Sequence, residues 1–219
     1  NPVAGGNGFM AYDRLASGGP LAALPPDAAL DLGRSANCSL PGLTGLVSCK
    51  TDGEVDIEAS AQVGSRIYVT GSHSNSKSGN SRADLGYYQW LREDLRAWDA
   101  NNTHGLGANH LGLVASSAGG LAPESSQRDG FSFEGLTTSP GDTAAWFAFR
   151  APMVSAPGQP AVSAGSATGR THALIVQVQN FDALATASQG GAAGQAVLGS
   201  PIRLDLGGRA IREIRKNAA

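Results

Sequence analysis

The chain has 219 residues, 41% of them hydrophobic and 16% charged, with 30 Gly and 11 Pro. That is enough for one core, and too rich in helix-breaking residues for a fully helical protein, while blocks such as "RIYVTG", "AAWFAFRA" and "ALIVQVQ" exclude a disordered chain. A net charge of -2 from 16 basic and 18 acidic residues leaves no electrostatic footprint for nucleic acid or an anionic membrane, and the longest apolar run falls far short of the roughly 20 residues that span a bilayer. The expected class is all-β, with no nucleic-acid partner and no membrane insertion.

In chain order, Phe9 to Asp13, "FMAYD", reads as a strand entering a turn at "SGGP", and the Pro-broken stretch after it is left open. Cys38 and Cys49 flank "SLPGLTGLVS", whose Pro-Gly turn would return the chain on itself, so a disulfide is expected, with two buried free thiols as the alternative. A bridge places the protein in an oxidising compartment. The excess of Arg over Lys and the Ala-Gly content fit a bacterial source, which makes the sequons at Asn37 and Asn101 chance matches.

"EVDIEASAQVGSRIYVTGSHS" alternates apolar and polar residues through Val55, Ile57 and Ala59, turns at Gly64-Ser65 and alternates again through Ile67 and Val69, predicting a hairpin. A polar loop follows over 72–83. Leu85, Tyr88, Leu91, Leu95 and Trp98 then recur at helical spacing, predicting a helix over about 84–98. His104 and His110 lie six apart in a Gly-rich stretch with no acidic third ligand, which reads as loop or helix-end packing rather than zinc.

The next block, "FSFEGLTTSPGDTAAWFAFRAP", looks like a copy of the first. Glu134 falls 76 residues after Glu58, and the offset grows to 78 at Tyr68 and Trp146, as a turn longer by two residues would produce. Repeated strand-turn-strand units point to a solenoid or a propeller with an inserted helix. "HALIVQVQN" and "PIRLDLGGRAIREIRK" supply the strands of a third group.

In this order, "VDIEASA", "RIYVTGSHS", "DGFSFEGLT", "FRAPMV", "ALIVQVQNFDAL" and "LDLGGRAIREI" resemble the bacterial domain of unknown function 3616, over about Phe9 to Lys216. The resemblance implies a secreted or periplasmic β-propeller, distantly similar to phytase-like and esterase-like propellers, and implies no activity. The expected domain is a single propeller, or the major part of one, over 1–219. Members of that family continue into a further strand block, and closing a propeller needs its last blade to meet its first. Residues Ile211 to Lys216 and Phe9 to Asp13 are therefore expected to pair with the remainder of the same polypeptide or another protein chain.

Asp56 and Glu58 share one strand face, and Glu134 holds the equivalent place in the second copy. Converging at a channel mouth, these carboxylates suit Ca²⁺, acid-base work in hydrolysis, or hydrogen bonds that tie neighbouring repeats together. His73, Arg150 and Arg209 lie where they would meet an anionic ligand, and Arg150 equally suits pairing with Glu58 or Glu134. His73 sits among Ser72, Ser74, Ser76 and Lys77, a weak nucleophile-and-base pattern without a G-x-S-x-G elbow. No dinucleotide or Walker motif is present. The expectation is a propeller module that binds a ligand or partner, with a Ca²⁺-assisted esterase or phosphatase as one alternative and a structural subunit of an extracellular assembly as another.

Overall fold

The computed structural model describes residues 10–11, 22–23, 57–63, 66–74, 90–118, 129–163, 166–187 and 195–217. Cys38, Cys49, Asp56, Ser76 and Lys77 lie outside them. The described chain is mostly antiparallel sheet, as the short strand-like blocks and many glycines imply, and contains no closed ring of blades among the described residues.

Two residues of the expected first strand form β1 (Met10–Ala11), which pairs antiparallel with β2 (Ala22–Ala23) from the stretch left open. The predicted hairpin is β3 (Ile57–Val63) with β4 (Arg66–Gly71). Its copy is β5 (Ser132–Thr138) with β6 (Ala145–Ala151), and β7 (Ala173–Val178) and β8 (Ile202–Leu204) extend this second hairpin into a four-stranded meander of order β5-β6-β7-β8. The two blocks read as separate third-group strands thus complete the second copy's own sheet.

The backbone registers bear out the internal repeat. Ala61 faces Tyr68 in the first hairpin, and Thr137 faces Trp146 in the second. Both hairpins carry a β-bulge at the same place, between Ile57 and Ala59 and between Phe133 and Gly135, so Glu58 and Glu134 are each the extra residue. The bulge explains an odd spacing: Phe133 and Leu136, three apart, both reach the core, whereas strict alternation would send them to opposite faces.

The helices fill the gaps between strands. α1 (Trp90–Ala100) overlaps the later part of the predicted helix and buries Leu91, Leu95 and Trp98, three of the five positions its periodicity selects; Leu85 and Tyr88 lie outside the described residues. α2 (Leu113–Ser117) and α3 (Phe181–Ala187) are short turns of helix that the periodicity did not reveal. One aromatic core gathers Phe133, Phe147, Phe149 and Phe131 with Leu174, Val176 and Phe181, the rings meeting mostly edge to face. At about 1.5–3 kcal/mol for each large buried apolar side chain, this cluster is the dominant source of stability.

The hairpins stack with unlike faces together. Ala59, Ala61 and Tyr68 pack onto the aromatic core of the second sheet, and Tyr68 meets Phe181 edge to face. Their counterparts in the second hairpin, Gly135, Thr137 and Trp146, lie on its opposite face, where a smaller cluster forms from Ala148, Ala173, Ile175, Ile211 and Ile214. Head-to-tail contact of this kind is how repeat units stack. On the second sheet, the place a further unit would take is held by residues 209–216, which we call the strap. Residues Ile211 to Lys216, expected to pair with another chain, are thus docked on their own sheet.

Candidate functional site

At the bulged end of β5 the extra residue turns its side chain toward the strap rather than into the aromatic core. The Glu134 carboxylate is 4% exposed; one oxygen accepts from Arg150 Nη1 at 2.5 Å, and the other forms an ion pair with Arg212, 2.9 Å from its Nε. Arg150 comes from the matching irregularity on β6, between the Phe133–Phe149 and Ser132–Ala151 pairs. A carboxylate removed from water needs both oxygens satisfied, and two guanidinium groups do this while leaving a net positive charge at the rim. Beside it, Gly135 lets the strap approach: a Cβ there would lie 2.9 Å from the Ala148 methyl and 3.1 Å from the Ile214 side chain. Farther along, Lys216 Nζ bonds Asp142 Oδ1 at 2.9 Å, and Asp142 also accepts from the Thr138 hydroxyl. These bonds, the Thr138 one first, hold the Asp142 carboxyl below the ordinary range.

The other expected site residues are not brought to this point. Glu58, expected to be buried and to share a central space with Glu134, is exposed. Arg209 is exposed, its guanidinium lying against Gly207 at the start of the strap. His73 does not occupy the place equivalent to Arg150; the registers assign that place to Ser72. Among the described residues no group of three His, Cys, Asp or Glu side chains is placed to hold a metal ion.

His73 belongs to a second polar cluster, where the first hairpin meets the helices. Ser72 O accepts from Phe133 N at 2.9 Å, joining the hairpins. His73 follows with a left-handed φ of 54°, its ring 4.9 Å from that of Phe133. Arg92, from the buried face of α1, donates to His73 O at 2.7 Å and to Ser117 O, and its guanidinium lies 5.3 Å from the centre of the Phe131 ring. Burial first, and then the Arg92 charge, lower the His73 pKa to about 3. The imidazole is therefore uncharged at neutral pH and a poor base. The hydroxyls of Ser72 and Ser74 bond each other at 2.8 Å.

Of the two histidines of the Gly-rich stretch, His104 packs against the end of α1 and His110 lies beside Ser155. The buried Asp99 side chain accepts from Leu111 N and Leu113 N, which fixes the start of α2, and bonds His104 Nε2 at 3.0 Å. His104 Nδ1 accepts from Leu106 N, so this ring is held on both sides. His110 Nε2 lies 3.4 Å from Ser155 Oγ, and burial lowers its pKa. Buried Arg170 donates to Met153 O and Ser166 O, bracing the 153–171 loop beside Gly112.

Arg212, Arg92 and Asp99 were not singled out by the sequence. Arg212 lay within "GGRAIREI", taken as a strand, and the three-residue spacing of Ile211 and Ile214 was the available signal that it is not one. No family model, curated protein or solved structure matches this chain.

Proposed function

We propose that the chain is a β-propeller module of a secreted or periplasmic protein, and that it binds a carboxylate- or phosphate-bearing ligand or partner at the Arg150–Arg212 rim. The observation that carries this reading is the charge arithmetic at Glu134: one carboxylate, both oxygens engaged, beneath two guanidinium groups of which Arg212 is 69% exposed. The donors left over face outward, and planar guanidinium forks suit carboxylate and phosphate. A four-stranded antiparallel meander is the strand order of a propeller blade, and the head-to-tail packing of the hairpins supports the same architecture. The compartment rests on the family resemblance and the expected Cys38–Cys49 bridge.

The alternative, a Ca²⁺-assisted hydrolase, asks Glu134 to give up both arginines before it can ligate a cation. Calorimetry separates the two. Titration with citrate and with inorganic phosphate should give saturable binding that Arg150→Ala removes, while CaCl₂ gives none. Calcium binding that Glu134→Gln removes, with no anion binding, would instead support the hydrolase.

A further inference from the structure

The strap docks on the second sheet chiefly through side chains. The floor is Gly135, Ala148 and Ala173, small residues that leave room for Ile211 and Ile214, and the buried Glu134 carboxylate takes the arginine between them. The strap is not a strand: its backbone bends at Arg212, and Ile211 and Ile214, three apart, both pack on the sheet. Among the described residues one backbone bond joins strap to sheet, Ile211 N to Phe149 O at 3.3 Å; side chains make the other contacts. The link from β8, Asp205 to Gly208, is largely exposed and reverses through two consecutive left-handed glycines, Gly207 and Gly208.

The strap also underfills the face it covers. Ile202 and Leu204 face the same way as Ile175 and Ala173 by register, and they remain 40% and 36% exposed, continuous with the strap groove.

We propose that this face is a docking groove for a short peptide supplied in trans, with two branched aliphatic residues three apart and an arginine between them, and that the strap is its occupant in cis. The peptide's arginine takes the place of Arg212 on Glu134, its aliphatic pair the places of Ile211 and Ile214, and its continuation covers Ile202 and Leu204. A tethered occupant competes at high effective concentration, so trans binding stays weak until the strap is loosened. The inference does not depend on the anion-binding reading.

The test uses a fluorescein-labelled peptide copying residues 207–217, read by anisotropy, with circular dichroism confirming the fold of each variant. Arg212→Glu weakens the cis strap but leaves the groove intact, and it should bind the peptide roughly tenfold more tightly than the unaltered protein. Adding Glu134→Gln to it should lose most of that gain. Equal affinity for Arg212→Glu and the unaltered protein, or a gain indifferent to Glu134→Gln, overturns the proposal. Should Arg212→Glu not fold, a specific protease site replacing residues 205–208 allows the link to be cut. Exchange of labelled peptide into the cut protein supports the groove; unfolding on cutting, or no exchange, overturns it.

Discussion

The two hairpins are one backbone used twice, and they differ most at the residue they share. Both bulge at a glutamate, Glu58 in β3 and Glu134 in β5, yet the first is exposed and the second is buried under two arginines. The place of Arg150 is taken in the first copy by Ser72, which gives its carbonyl to Phe133 of the second copy. Gly135, which admits the strap, corresponds to Ala59, which packs on the aromatic core. A repeated strand pattern thus fixes where a carboxylate leaves the ladder, and the segment docked beside it decides what that carboxylate does.

Replacing each glutamate tests this most strongly. Glu134→Ala strands two guanidinium groups, one of them partly buried, and should cost about 3–5 kcal/mol, toward the lower end because Arg212 reaches solvent. Glu58→Ala should cost less, up to about 1 kcal/mol, as the loss of an exposed residue's polar interactions does. Equilibrium urea unfolding of both variants measures the difference; equal losses would show that the bulged glutamate has one role in both copies.

Acid should act through the end of the first hairpin. The unfolded chain protonates His73 near 6.5, whereas burial and Arg92 delay this to about 3 in the folded state. The His73 contribution is therefore intact above pH 6.5 and is lost as pH falls through that window, at about 1.4 kcal/mol per pH unit. His73→Asn, which tolerates the left-handed backbone, should flatten the pH dependence of stability between about 6 and 4. An unchanged slope would place the acid sensitivity elsewhere.

The glycine-alanine exchange between copies should have a smaller effect. Gly135→Ala forces a methyl against Ala148 and the Ile214 backbone, and should cost about 1–3 kcal/mol while loosening the strap. Ala59→Gly loses strand entropy, about 0.5–1 kcal/mol, together with part of one methyl's burial. Thermal unfolding of the pair would reverse this ranking if the strap yields freely.

Legibility in the sequence followed the same division. The offsets of 76 and 78 were readable because strand alternation and turn length are local, and the registers of Ala61 with Tyr68 and Thr137 with Trp146 reproduce them. The buried stripe of α1 was readable from Leu91, Leu95 and Trp98 for the same reason. The partner of Glu134 was only half readable: Arg150 sits in the same hairpin, but Arg212 arrives from 78 residues away in a segment with no strand period. Asp99 was invisible because its work is to satisfy Leu111 N and Leu113 N, backbone groups that carry no sequence signature.

The finest distinction between the copies lies at the far end of the strap, where Asp142 sits in the connection of the second hairpin, longer by two residues than that of the first. The Asp142 carboxyl is held below its ordinary range first by the Thr138 hydroxyl and then by Lys216. Its ionised form is thus favoured in the folded state: the contribution is present above the unfolded carboxylate pKa of about 3.9 and is lost as pH falls through the lower folded value. NMR titration of the Asp142 side-chain carbonyl should therefore show a midpoint below that of a free aspartate. Thr138→Val should move it up further than Lys216→Ala does. If Lys216→Ala moves it more, the ammonium rather than the hydroxyl anchors this end, and high salt should then free the strap there while leaving the partly buried Glu134 clamp largely in place.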